Sequence, residues 1–246
     1  MTSVSKRLVV TNHSNHDLMW LKDLEDYGFT KENIFIYERS PSIPQEVYDL
    51  GKVFPSPNVG SNIYDYGRYI TENYDNLADI NILIKGNITW RTYTTRERFL
   101  YALKANWFVP IGLDVVGNGD SNFYEPWGEG FYVNDDYHLE KVERHLGDNK
   151  DLKVYPKIKN FKDFLEDLFI IKRIPEYIAF CPGANFTVPK QNILKYSINF
   201  YKKMMSYTDY APNPPEAHYF ERVLPLAWQG CLLENYNGQK QINLQT

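Results

Sequence analysis

Arg7-Leu-Val-Val-Thr-Asn12, Asp17-Leu-Met-Trp-Leu-Lys-Asp-Leu-Glu-Asp-Tyr27 and Asn33-Ile-Phe-Ile-Tyr37 together decide the fold class. The first is a short apolar run ending in polar residues, which reads as a buried strand. The second sets Leu18, Leu21 and Leu24 at helical spacing, and Gly28 directly behind it supplies a helix stop. The third reads as another strand. A strand, a helix and a strand in this order open a parallel sheet with crossover connections.

Working outward, the Pro-punctuated segment from Ser40 to Pro57 reads as a loop, and Asn58-Val-Gly-Ser-Asn62 leads into a helix. Ile63, Tyr66, Ile70 and Tyr74 lie on one face of that helix. Ile80-Asn-Ile-Leu-Ile-Lys85 is the clearest strand in the chain, and a helix is expected over 94–106. Between Trp107 and Pro156 periodicity is weak, the mark of long stretches with functional or mobile character. Order returns with a helix over 160–169, strands at Tyr177–Cys181 and Ala184–Val188, and a long helix from Lys190 to Tyr207. A last helix runs from Glu216 to Gln229 behind Pro212-Asn-Pro-Pro215. The expectation is one α/β domain over 1–234, a mainly parallel sheet flanked by helices, followed by a polar tail over 235–246.

The 246 residues, 43% hydrophobic and 24% charged, are enough to bury a substantial core. A net charge of −4 argues against a general nucleic-acid binder, which would be basic. Aromatic residues reach 16%, and aromatic faces stack on sugar rings and bases, although an A/T-rich genome gives the same bias. Cys181 and Cys231 have no metal-type spacing and read as buried thiols. No signal sequence is evident and no apolar run approaches the ~20 residues a bilayer span requires. A reducing, cytoplasmic location is therefore expected, with the sequons at Asn12, Asn87 and Asn185 left unused.

In an open parallel sheet, ligands bind beyond the carboxyl ends of the strands. Three such ends are readable: Thr11-Asn12-His13, Tyr37-Glu38-Arg39 and Lys85-Gly86-Asn87. The loop Asn58, Gly60, Asn62 opens a helix, so its N–H groups are placed to face an anion or a sugar hydroxyl; a plain helix cap reads equally well. Asp135-Asp136 offers a carboxylate pair for Mg²⁺ or Mn²⁺, against the simpler reading of an N-cap. Asp114 and Asp120 share that irregular region. Glu216, His218 and Glu221 near the last helix start are candidates for proton transfer. At ~3.6 residues per turn the two carboxylates do not share a stripe, and Glu216 is favoured because helix starts open into clefts. Nucleotide-loop, dinucleotide and Gly-x-Ser-x-Gly signatures are missing, which weakens kinase, dehydrogenase and hydrolase readings.

The order of these pieces adds a further clue. Pro57-Asn-Val-Gly-Ser-Asn-Ile-Tyr-Asp-Tyr-Gly-Arg-Tyr-Ile-Thr-Glu-Asn-Tyr-Asp-Asn-Leu-Ala-Asp79 followed by Ile80–Gly86 resembles an uncharacterised glycosyltransferase-like family with a GT-A-type nucleotide-binding half. That family reads Asn-x-Gly-x-Glu, Tyr-Leu-x-Tyr-Ile and Asn-Tyr-Asp-x-Leu-Pro-Asp, then a strand ending in Gln-Gly or His-Gly. Val9-Val-Thr-Asn-His13 with Asp17-Leu-Met-Trp-Leu21 is similar to its opening. Asn185-Phe-Thr-Val-Pro-Lys190 and the helix carrying Glu216, His218, Glu221 and Arg222 are similar to its C-terminal motifs. About the first ninety and the last seventy residues are covered.

The resemblance implies transfer of a sugar from a nucleoside diphosphate donor to a glycan or other hydroxyl acceptor. The nucleotide would lie on the side of Thr11, Asn12, His13 and of Asn58, Gly60, Asn62, with Trp107, Tyr124 and Trp127 toward the acceptor. One departure has chemical consequences. GT-A enzymes mostly end the strand matching Ile80–Lys85 in Asp-x-Asp, which holds Mn²⁺ or Mg²⁺ against the leaving diphosphate. Lys85-Gly86-Asn87 stands there instead, so Lys85, helped by Arg68, Arg91 or Arg96, is expected to offset that charge with weak metal dependence or none. A sugar- or nucleotide-binding protein without catalysis is the alternative, and a scaffold that binds no nucleotide is the third.

Overall fold

The computed structural model describes residues 4–13, 16–90, 94–112, 130–132, 157–158, 161–170, 177–179, 181 and 183–235. Its strands are β1 (Lys6–Asn12), β2 (Ile34–Glu38), β3 (Lys52–Pro55), β4 (Ile80–Lys85), β5 (Val109–Pro110), β6 (Gly130–Tyr132), β7 (Phe169–Ile170), β8 (Tyr177–Ala179), β9 (Phe186–Pro189) and β10 (Leu233–Glu234). The helices are α1 (Ser61–Glu72), α2 (Arg96–Lys104), α3 (Phe161–Leu168), α4 (Lys190–Ile193), α5 (Ile198–Thr208) and α6 (Pro215–Gln229).

Six strands form one sheet in the order β3-β2-β1-β4-β9-β5. β3, β2, β1 and β4 run parallel, while β9 is antiparallel to both β4 and β5. The central strands are apolar at nearly every position because both faces are covered. Val9, Phe35, Leu83, Phe186 and Val188 face one core, closed by α1, α3, α5 and α6. Leu8, Val10, Ile34, Ile36, Ile82 and Ile84 face the other, closed by the Leu18–Phe29 segment and by Phe99, Ala102 and Leu103 of α2. The protein is thus a mixed α/β fold around a mostly parallel sheet, in agreement with the coarse expectation.

Three local readings are corrected. Residues Met19–Tyr27 form a 3₁₀ helix rather than an α-helix, ending as expected at Gly28 with φ 83°. The segment read as a loop from Ser40 to Pro57 contains the 3₁₀ turn Gln45–Asp49 and the edge strand β3. The single helix expected from Lys190 to Tyr207 is broken in two. Ser197 caps a fresh start by accepting the Phe200 N–H (3.3 Å), so the chain turns between α4 and α5. Cys231 is also exposed, contrary to the buried-thiol reading, whereas Cys181 is buried. Among the described residues no helix is long and apolar enough to cross a membrane.

Candidate functional site

Sheet order locates the site before any side chain is considered. From β1 the chain moves outward through β2 to β3, then returns to β4 on the other side of β1. β1 and β4 therefore flank the topological switch point, where connections leave in opposite directions and open a crevice at the carboxyl ends. Thr11 is in register with Lys85, and the Gly86 N–H donates to the Thr11 carbonyl (2.8 Å). Asn12, His13, Lys85, Gly86 and Asn87 thus meet at one place, as the strand-end reading requires. Gly86 is needed for that approach, since a β-carbon there would come within 2.6 Å of Asn12 Oδ1.

On the side of Asn12 the floor is polar and buried. Asn12 Nδ2 donates to Glu38 Oε2 (2.6 Å), and Glu38 Oε1 accepts from the Ser40 N–H (2.8 Å) and hydroxyl (2.6 Å). Asn12 and Glu38 are each 1% exposed, yet Asn12 Oδ1 has no partner among the described residues. A buried acceptor in that state calls for a ligand or a water. Both residues line a cavity of about 250 Å³ with His16, Ser40 and Glu46. Glu38 was legible as a strand end, but only the structure reveals that Asn12 and Ser40 organise it.

The opposite side of the crevice is built on charge. Arg39 follows Glu38 and is paired with Asp65 of α1 at 2.7 Å, both side chains being essentially inaccessible. Arg39 also donates to the Ser61 carbonyl and lies 3.3 Å from His13 Nε2. Burial pushes the Asp65 carboxyl up to about 6 even though Arg39 and Ser56 favour its ionised form. Next to β4, Asn185 is fully buried: its Oδ1 accepts the Lys85 N–H (2.8 Å), and its Nδ2 has no partner among the described residues.

α6 carries Glu221 toward Lys85. Its carboxylate accepts the Gly183 N–H (2.5 Å), and its Oε2 lies 3.5 Å from Arg222 Nη1 and 3.7 Å from His218 Nδ1. Burial works to raise its pKa, but the His218 imidazole and the Lys85 and Arg222 cations outweigh it and hold the group at about 2. The Gly183 N–H and the neighbouring cations favour its ionised form, so at neutral pH Glu221 stands as a carboxylate beside His218. Linkage gives a prediction. A group depressed from 4.5 to about 2 adds stability that is present above pH 4.5 and is lost as the pH falls toward 2. With its side chain 15% exposed, the contribution is about 3 kcal/mol at most. Urea midpoints from pH 7 to pH 2 should drop more steeply for the wild-type protein than for Glu221→Gln; parallel curves would contradict the assignment.

Several expected site residues turn out to be structural. Glu216 is fully buried, and its carboxylate accepts from the N–H groups of Lys157 (2.5 Å) and Ile158 (3.2 Å) and from the Tyr210 hydroxyl (2.6 Å). It ties Lys157, Ile158 and Tyr210 to the start of α6, a structural role for the residue expected to act as the base. The Asn58–Asn62 loop is no anion cradle either. The Gly60 and Ser61 N–H groups are taken by the Ala211 and Pro212 carbonyls, both at 2.7 Å, and Asn62 Nδ2 holds the Gly183 and Ala184 carbonyls. Gly60, with φ 65°, packs where a β-carbon would sit 2.6 Å from the Thr208 carbonyl, while Asn58 is exposed. Arg68 straps α1 to β3 through Glu72 and the Pro55 carbonyl, both at 2.7 Å, instead of reaching Lys85. Arg96 starts α2, and Trp107 is 55% exposed against Tyr101. Arg91, Asp114, Asp120, Tyr124, Trp127, Asp135 and Asp136 lie outside the described residues. Among the described residues no three His, Cys, Asp or Glu side chains gather as a metal site.

Residues 8–238 match the family described as "Protein of unknown function (DUF3431)", and the chain belongs to it. That description carries no activity and no link to glycosyltransferases. No curated protein and no solved structure matches the chain.

Proposed function

We propose that this member of the DUF3431 family transfers a sugar from a nucleoside diphosphate donor to a hydroxyl acceptor, on a GT-A-like variant of the α/β fold. The observation that carries the reading is the division of the switch-point crevice. One side, at Asn12 and Glu38, offers hydrogen-bond acceptors suited to hydroxyls of a nucleoside; the other carries Lys85 at the end of β4. A diphosphate laid between them places its charge beside a lysine where a metal-dependent enzyme would place a carboxylate-bound cation. In the transfer step the bond from the anomeric carbon to the diphosphate breaks, and the Lys85 ammonium offsets the charge of the leaving group. The acceptor oxygen bonds to that carbon and gives its proton to His218, whose imidazole Glu221 orients.

A second reading, a nucleotide-sugar-binding protein without turnover, is favoured by the engagement of Glu216 and Glu221 in structural bonds. Thermal-shift measurements with UDP, GDP, CMP and dTDP and their sugars, each with Mn²⁺ or with EDTA, address both readings. Ligand at a hundredfold excess over Kd stabilises the fold by ~2.7 kcal/mol. A base-selective shift that survives EDTA is expected, and product formation from that donor then separates transfer from binding. A folded protein that shifts with no nucleotide would overturn both.

A further inference from the structure

A second cavity, of about 250 Å³, opens on the α2 side of the sheet, between the 3₁₀ helix Met19–Tyr27 and the start of α2. It is separate from the Asn12–Glu38 cavity but shares a wall with it. Leu18 and Met19 line the first, and Trp20 lines the second. The Trp20 indole N–H donates to the Gly86 carbonyl (3.1 Å), which ties this cavity to the crevice. Trp20, Tyr27 and Phe99 supply aromatic walls, with Trp20 and Phe99 edge to face at 5.8 Å. Opposite them the Thr94 hydroxyl oxygen is buried with no partner among the described residues. Asp23 and Arg96 add one carboxylate and one guanidinium, both on exposed residues.

We infer that this cavity binds one sugar ring of the acceptor. Its size falls below the roughly 300–1,000 Å³ of sites for drug-sized ligands, which fits a single ring. Opposite charges on Asp23 and Arg96 select a neutral molecule rather than a phosphate. Aromatic walls suit the C–H face of a pyranose, and Thr94, Asp23 and Arg96 supply a donor–acceptor set that matches its hydroxyls. The assignment of the ring to the acceptor rests on the transferase reading, because the nucleoside already has the other cavity.

Saturation-transfer NMR with the methyl glycosides of glucose, galactose, mannose and N-acetylglucosamine, at millimolar concentration, tests this directly. At least one glycoside should give a signal that falls severalfold in Thr94→Val and in Asp23→Asn and persists with saturating nucleotide. No signal from any glycoside on folded protein, or signals in both variants as strong as in the wild-type protein, overturns the cavity assignment. Displacement by the nucleotide overturns its acceptor role. Glycoside binding by a protein that binds no nucleotide would retain the sugar site and sink the transferase reading alone.

Discussion

Replacing Lys85 by methionine weakens binding of a nucleoside diphosphate by about 10- to 100-fold while leaving binding of the free nucleoside unchanged. The range follows from one charge-assisted hydrogen bond, which is worth about 1.5–3 kcal/mol. Methionine keeps most of the length and the apolar stem of the side chain, so the half-buried end of β4 stays packed. The nucleoside is the internal control. In the proposed reading its hydroxyls lie on the Asn12–Glu38 side, and it carries no phosphate charge for the lysine to offset. Calorimetric titration of both ligands against both proteins measures the difference. Equal affinities for the diphosphate would remove Lys85 from the site. A parallel loss for the nucleoside would mean that the substitution had disturbed the crevice itself.

Lys85 also explains how the crevice could be read in advance and why its surroundings could not. β1, β2 and β4 are continuous apolar runs, and their polar ends announce themselves, so the strand-end residues Asn12, Glu38, Arg39 and Lys85 were legible. β3 was not: Lys52-Val-Phe-Pro55 is an edge strand, half exposed and ending in proline, and it looks like a loop. The break before α5 was hidden because Ser197 sits inside a pattern that helices also tolerate.

Partners distant in sequence were hardest to see. Glu216 looked like a cleft residue because a helix start adjoins a loop. What decides its role is Lys157, 59 residues earlier, and the adjacent Ile158, to whose N–H groups it is bonded. Asn185 was placed in a short strand with no role of its own, and its link to Lys85 spans 100 residues. Asp65 lies between the apolar positions of α1, where a charge is normally solvated, and went unremarked in the sequence. Its burial depends on Arg39 arriving from the end of β2.

Arg39→Met destabilises the fold by about 3–5 kcal/mol, a large share of the 5–15 kcal/mol that holds a typical domain together. The reason is the state in which it leaves Asp65. This carboxyl is fully buried, and with Arg39 removed it keeps the Ser56 hydroxyl (2.5 Å) and the charge of Arg68, to which it is not bonded, against its desolvation. Its folded pKa, already raised from 3.8 to about 6, rises further. A raised carboxyl pKa means that the native state holds its proton while the unfolded chain releases it. The contribution of Asp65 is therefore most favourable below pH 3.8 and declines as the pH climbs through the folded value. The variant should accordingly lose more at pH 8 than at pH 5 in urea titrations. Adding Asp65→Leu to Arg39→Met should restore most of the loss, because no unpaired charge then remains buried. A single variant within 1 kcal/mol of wild type, or a double variant no better than the single, would show that the pair is not what holds α1 to the end of β2. If the double variant folds but no longer binds the nucleotide, the same pair is retained for the crevice that Arg39 shares with His13 rather than for stability alone.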